Sequence, residues 1–119
     1  MQYLMMIYGD ENAKINAPKE ALDAMMKDYG VYTREMQEAG VRVAGEILHP
    51  TSEASTVRVQ NGEPVTSKGP FAKTSEQLGG YYVLNCNNLD EALEWAAKCP
   101  GARFGSIEVR PIVDFSQGR

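Results

Sequence analysis

The chain has 119 residues, a formal charge of −4, 43% hydrophobic and 24% charged residues. That length suits one core of about 100–150 residues and no second domain, and the balance is that of an ordinary globular domain rather than a disordered, fibrous or membrane protein. The acid excess and the scattered lysines and arginines exclude the clustered basic face that nucleic-acid binding needs.

The opening run Tyr3-Leu4-Met5-Met6-Ile7-Tyr8 is apolar but has no basic leader or cleavage site, and Gly9-Asp10-Glu11 cuts it short. It reads as a strand over Gln2–Tyr8 rather than a signal segment. Nearly every position in it is apolar, which predicts an interior strand covered on both faces. A polar loop, Gly9 to Ala17, follows. Pro18 then opens a helix whose stripe is Leu22, Met25, Met26, Tyr29, Tyr32 and Met36. Gly30 weakens that helix locally, and Gly40 is placed to end it in a left-handed cap.

From Val41 the period changes to two, with Val43, Gly45 and Ile47 on one side and Arg42, Ala44, Glu46 and Leu48 on the other. Pro50 ends this strand. Thr56–Val59 and Pro64–Thr66 flank Asn61-Gly62, a pair suited to positive φ, so a tight hairpin standing off the main sheet is expected. The next strand is Gly80–Cys86. Asn88 then caps a helix, with Glu91 placed to reach back to the cap, and Leu89, Ala92, Leu93, Ala96 and Ala97 form its buried stripe beside Trp95. Cys99-Pro100-Gly101 closes that helix. The last strand, Phe104–Ile112, precedes a polar tail over residues 114–119 that is expected to fray.

The order β-α-β, hairpin, β-α-β predicts an α+β, ferredoxin-like antiparallel sheet with both helices on one face, in a single domain over residues 1–113. The opposite face needs cover in water, so a homodimer of face-to-face sheets, a dimeric α+β barrel, is expected. Cys86 and Cys99 lack CxxC spacing and no export signal accompanies them, which predicts reduced, packed thiols in a cytoplasmic protein.

Several stretches carry a resemblance: Tyr8-Gly9-Asp10-Glu11, Val43-Ala44-Gly45-Glu46, Gly69-Pro70-Phe71-Ala72 with Glu76-Gln77-Leu78-Gly79-Gly80, Glu91-Ala92-Leu93-Glu94-Trp95-Ala96, and Gly105 to Pro111. Together they resemble the DGPF family within the YCII-related proteins. The resemblance spans nearly the whole chain and implies a small dimeric α+β domain without an assigned activity, in a family sometimes associated with extracytoplasmic-function sigma factors. Fold does not carry function with it. Two departures stand out. Ser67-Lys68 replaces the acid that precedes Gly-Pro-Phe in the family, turning a carboxylate into a cation. Some YCII-related proteins carry a His-Asp pair with the His on the first helix, whereas here Asp28 and Tyr29 fall at about that place.

His49, the sole histidine, is the natural acid-base candidate, with a strand-end polar residue as the structural alternative. Glu46, flanked by Ala44, Ile47 and Leu48, is the second catalytic candidate, or else a partner for Arg42 or Arg110. Lys68 beside Gly69-Pro70 could meet an anionic ligand or simply occupy a turn. Asp10 and Glu11 could line the end of the first strand, and Tyr81, Tyr82 and Trp95 could stack on a ligand or pack. No Cys/His cluster predicts a metal site, no cofactor motif is present, and Gly79-Gly80 is not a phosphate loop because it enters a strand. The function expected is a small-molecule-binding dimer, with metal-free acid-base catalysis as its possible activity. The alternative is a non-catalytic regulatory module with a sigma-factor-type protein partner.

Overall fold

A computed structural model describes residues 1–117. Six strands and three helices follow the chain as β1 (Gln2–Gly9), α1 (Glu11–Ile15), α2 (Lys19–Glu38), β2 (Arg42–Ile47), β3 (Ser55–Gln60), β4 (Glu63–Lys68), β5 (Gln77–Asn85), α3 (Leu89–Lys98) and β6 (Ser106–Pro111). The main sheet has the order β2-β5-β1-β6 with every neighbouring pair antiparallel, the ferredoxin-like arrangement. β1 is an interior strand, as its unbroken apolar run predicts.

Side chains alternate across each strand, so register assigns every residue to a face. Tyr3, Met5 and Ile7 stand opposite Leu84, Tyr82 and Gly80 on β5, and Met5 and Ile7 opposite Val109 and Ile107 on β6. This face meets Tyr32 and Met36 of α2 and Ala92 and Ala96 of α3 in one core, with Trp95 packed against it. Met5, Met36 and Leu84 are fully buried. Tyr32 makes edge-on aromatic contacts with both Tyr82 and Trp95, a favoured geometry for ring pairs. Its hydroxyl donates to Trp95 O at 2.7 Å.

Local chemistry sets the element ends. Gly40 has φ +73° past the end of α2, and Asn61 and Gly62 take φ 51° and 81° in the hairpin turn, so both sites use the left-handed region that their residue types favour. Asn88 Oδ1 accepts from Glu91 N at 2.9 Å at the start of α3. The Glu91 carboxylate does not complete the reciprocal cap; it takes the Asn87 amide at 2.9 Å instead.

Three further expectations are corrected. The loop after β1 contains the short helix α1, capped by Asp10 Oδ1 accepting from Asn12 N at 2.9 Å; five residues are too few for a periodic signal. The stripe of α3 is rotated: Ala92, Trp95, Ala96 and Cys99 face the core, while Leu89, Leu93 and Ala97 are exposed. Leucine counting favours one side of that helix, but the bulk of Trp95 and the turn at Pro100–Arg103 orient the other side toward the sheet. In β2, a bulge between Arg42 and Ala44 breaks strict alternation and leaves Val43 exposed.

β3 and β4 form a separate two-stranded sheet. Cys86 and Cys99 are free and buried, and burial pushes both thiols upward in pKa. No described helix is long and apolar enough to cross a membrane. The expected tail is a short 3-10 turn at Phe115–Gln117; Gly118 and Arg119 lie outside the described residues.

Candidate functional site

Among the described residues, α2 and α3 both pack on the core face, and neither covers the other face of the sheet. By register it presents Leu4, Met6 and Tyr8 from β1, Leu78, Tyr81 and Val83 from β5, and Ala44 and Glu46 from β2, with Ser106, Glu108 and Arg110 along β6. One row across it reads Glu46, Tyr81, Met6, Glu108, an apolar centre with a carboxylate at each edge. With strands about 4.8 Å apart, those carboxylates stand roughly 14 Å from one another at the backbone.

At one end of this face the loop before β5 folds against the start of β6. Thr74, Ser75 and Glu76 of the loop meet Tyr8, Ser106 and Glu108 around a concavity of about 470 Å3. Ser106 Oγ donates to Glu76 Oε1 at 2.7 Å, which ties the loop to the strand. The start of β6 also runs close enough to the end of β1 to require glycine at position 105. A Cβ on Gly105 would overlap Tyr8 O, a backbone atom that cannot swing away. The concavity therefore combines one carboxylate already holding a hydroxyl, a second carboxylate, the Tyr8 phenol and Ile107, which by register belongs to the helix side of β6. Its carboxylates are acceptors for hydroxyl or amino donors.

A second groove, of about 330 Å3, runs between α2 and α3. In its lining Arg103 reaches Asp28 Oδ2 at 2.9 Å and Pro100 O at 3.1 Å and Tyr32 donates to Trp95 O, while Glu35 and Lys98 are not engaged in these contacts. We place the candidate site at the first concavity, where the loop before β5, β1 and β6 meet.

The residues singled out in the sequence fall in three places. Glu46 and Tyr81 are cross-strand partners on the uncovered face. Asp10 caps α1, and Glu11 beside it accepts from Thr51 N and Oγ1, both at 2.7 Å, pinning the segment after Pro50 to the end of β1. His49 stands at the surface with 84% of its side chain exposed, its Nδ1 3.2 Å from Glu53 Oε2. Lys68 is exposed at the root of the β3–β4 hairpin, opposite Ser55. Glu46 and Tyr81 are thus paired across two strands, while His49, past the end of β2, contacts Glu53 and Lys68 pairs within the hairpin.

Tyr82 and Trp95 pack in or against the core. Burial raises the Tyr82 phenol, opposed by its 2.8 Å hydrogen bond with Thr33 Oγ1. Among the described residues, no three of His, Cys, Asp and Glu gather as metal ligands do. Tyr8, Glu76, Ser106 and Glu108 were not singled out as site residues. A signal for them existed: three of the stretches carrying the resemblance, Tyr8–Glu11, Glu76–Gly80 and Gly105–Pro111, converge on this concavity.

An uncharacterised protein of Rhizobium meliloti (strain 1021) is 38% identical over 120 aligned residues, which cover 99% of this chain and 97% of that protein. Among solved structures, 5-chloro-2-hydroxyhydroquinone dehydrochlorinase from Burkholderia phenoliruptrix, in complex with 2,5-dihydroxybenzoquinone, is similar over 95% of this chain and 94% of that one, at 11% identity and a TM-score of 0.49. A likeness at that level speaks to no shared chemistry. The match to the YCII-related domain runs over residues 1–116, almost end to end, and the protein belongs to the YCII-related family.

Proposed function

We propose that the protein is a homodimer that binds a small molecule in the space closed between its two uncovered sheet faces, with metal-free acid-base chemistry carried by the carboxylates there. The observation that carries this reading is a surplus of surface. The 13.1 kDa chain exposes 8553 Å2, whereas a compact monomer of that mass exposes about 6,400 Å2. If each of two chains covered that difference of about 2,100 Å2, their interface would fall in the range of about 2,000–5,000 Å2 typical of obligate homodimers.

Covering the face would remove water from the Glu46–Tyr81 row and the Glu76–Ser106 pair, strengthening every polar contact a ligand makes there. Glu46 and Glu76 then serve as the candidate bases, Tyr8 and Ser106 as hydroxyl partners that orient the ligand, and Tyr81 as a ring to stack on. His49 and Lys68 lie toward the β3–β4 side, where they would act on a ligand only at the rim. The alternative reading is a non-catalytic dimer that serves as a binding or regulatory module for a sigma-factor-type protein partner.

Sedimentation tests the dimer that both readings share: twice the chain mass is expected at micromolar concentration, and a monomer removes both. The ligand is sought by thermal shift against dihydroxybenzenes, hydroxy acids and aromatic amines, where saturation at 100 times Kd raises stability by about 2.7 kcal/mol. Glu76→Gln and Glu46→Gln should each weaken any response. A response unchanged in both variants would remove the carboxylates from the site.

A further inference from the structure

The hairpin of β3 and β4 is the part of the chain whose order its own body does least to explain. A lone two-stranded hairpin is marginal at best in water, yet Ser55–Lys68 forms a sheet of its own with six consecutive pairs. Alternation puts Val57, Val59 and Pro64 on one side of it, with the two valines 62% and 71% exposed. Just beyond the root, Phe71 is 78% exposed.

The chain is a slab of 49 × 48 × 18 Å with a radius of gyration of 16.5 Å, against about 13.5 Å for a compact domain of this length. The hairpin therefore projects sideways and does not fold back over its own sheet. The uncovered sheet face alone is also too small to absorb the surplus surface. Four strands about 4.8 Å apart and six residues of about 3.3 Å each span only ~400 Å2 in plan.

We propose that β3–β4 is a dimerisation arm whose Val57, Val59 and Pro64 side packs on a second copy of this chain, so that two subunits interlock through reciprocal arms. This rests on the homodimer reading above and extends it. The occupant is a second copy because one chain carries both halves of what a twofold axis requires: an apolar arm its own body leaves bare, and an apolar sheet its own arm leaves bare. The surplus area matches such an interface in size.

Hydrogen exchange across residues 55–68 of the wild-type protein, at a concentration where its mass is measured by sedimentation, is the first test. The arm's amides should be protected in the dimer and lose that protection on dilution to monomer. Val57→Ser with Val59→Ser should raise the dimer dissociation constant about 100-fold, roughly tenfold per buried valine lost. Arg58→Gln, on the opposite side of the arm, should leave it within about twofold, a change of under 0.5 kcal/mol. A dimer whose arm exchanges at free-peptide rates, or whose affinity ignores the double substitution, overturns the arm while leaving the homodimer standing. A wild-type monomer overturns both.

Discussion

The two faces of the main sheet are made by the same four strands, and both are apolar, yet only one is finished by its own chain. On the helix side Tyr3, Met5, Tyr82 and Leu84 are sealed by α2 and α3. On the other side Leu4, Met6, Tyr8, Leu78, Tyr81 and Val83 stay only half-buried. Covering the first face is an intramolecular event fixed by the β-α-β connections, whereas under the proposed homodimer covering the second depends on concentration and on a partner. The polar residues suited to chemistry follow the same division. The helix side holds phenols and thiols raised by burial, while Glu46, Glu76, Ser106 and Glu108 sit on or beside the uncovered side.

The division breaks most sharply under core truncation. Leu84 is 0% exposed on the helix face, and Leu84→Ala should cost about 2–5 kcal/mol, measured by urea unfolding at fixed protein concentration. Met6→Arg, on the uncovered face, should do the converse. It keeps the far-ultraviolet circular dichroism of the folded chain but raises the dimer dissociation constant at least about 100-fold, or about 2.7 kcal/mol, by placing a charge in the interface. A Met6→Arg protein that unfolds, rather than dissociating, would show that this face contributes to the chain's own core.

Pattern alone carried the architecture. β1 is apolar at nearly every position and proves interior; Asn61-Gly62 forms the hairpin turn; Gly40 ends α2 in the left-handed region. These features are local, with sterics or a period of two or 3.6 behind them. What pattern could not resolve depends on rotation or on distance along the chain. Leu89 and Leu93 are valid helix-stripe residues, but the orientation of α3 is decided by Trp95 packing against residues far away in sequence. Of the candidate site, Glu46 and Tyr81 are legible one by one in the sequence, and only the register of β2 on β5 makes them partners. Ser106 and Glu76, thirty residues apart, meet through a loop closure that no spacing rule encodes.

A smaller effect sharpens the comparison through pH. Burial raises the Tyr32 phenol well above its ordinary 10.0, with the Cys99 thiol and Tyr82 adding to it; burial likewise raises the Cys99 thiol above 9.0. A group whose folded pKa is raised holds its proton more tightly in the folded state. Its contribution is intact below the unfolded value and is lost as pH rises toward the folded one. The melting temperature should therefore be flat near neutrality and fall from about pH 9–10 upward. Tyr32→Phe should cost about 1 kcal/mol at pH 7, because Trp95 O loses its donor, and should make the alkaline fall shallower. An unchanged slope would assign that fall to the thiols and to the Tyr29 and Tyr82 phenols, which burial also raises.

The smallest effect tests whether helix-side stability can change without touching the uncovered face. Asn88→Ala removes the side-chain acceptor for Glu91 N at the start of α3, a change of about 1 kcal/mol. Asn88→Asp keeps an acceptor there and adds a negative charge at the positive end of the helix, so it should be neutral or slightly stabilising. Because α3 lies behind the sheet, packed on the side away from Met6 and Tyr81, neither substitution should move the dimer dissociation constant measured by sedimentation. A shift in that constant tracking the loss of the cap would mean that the two faces are coupled through the strands, and the division between a finished and an unfinished face would have to be given up.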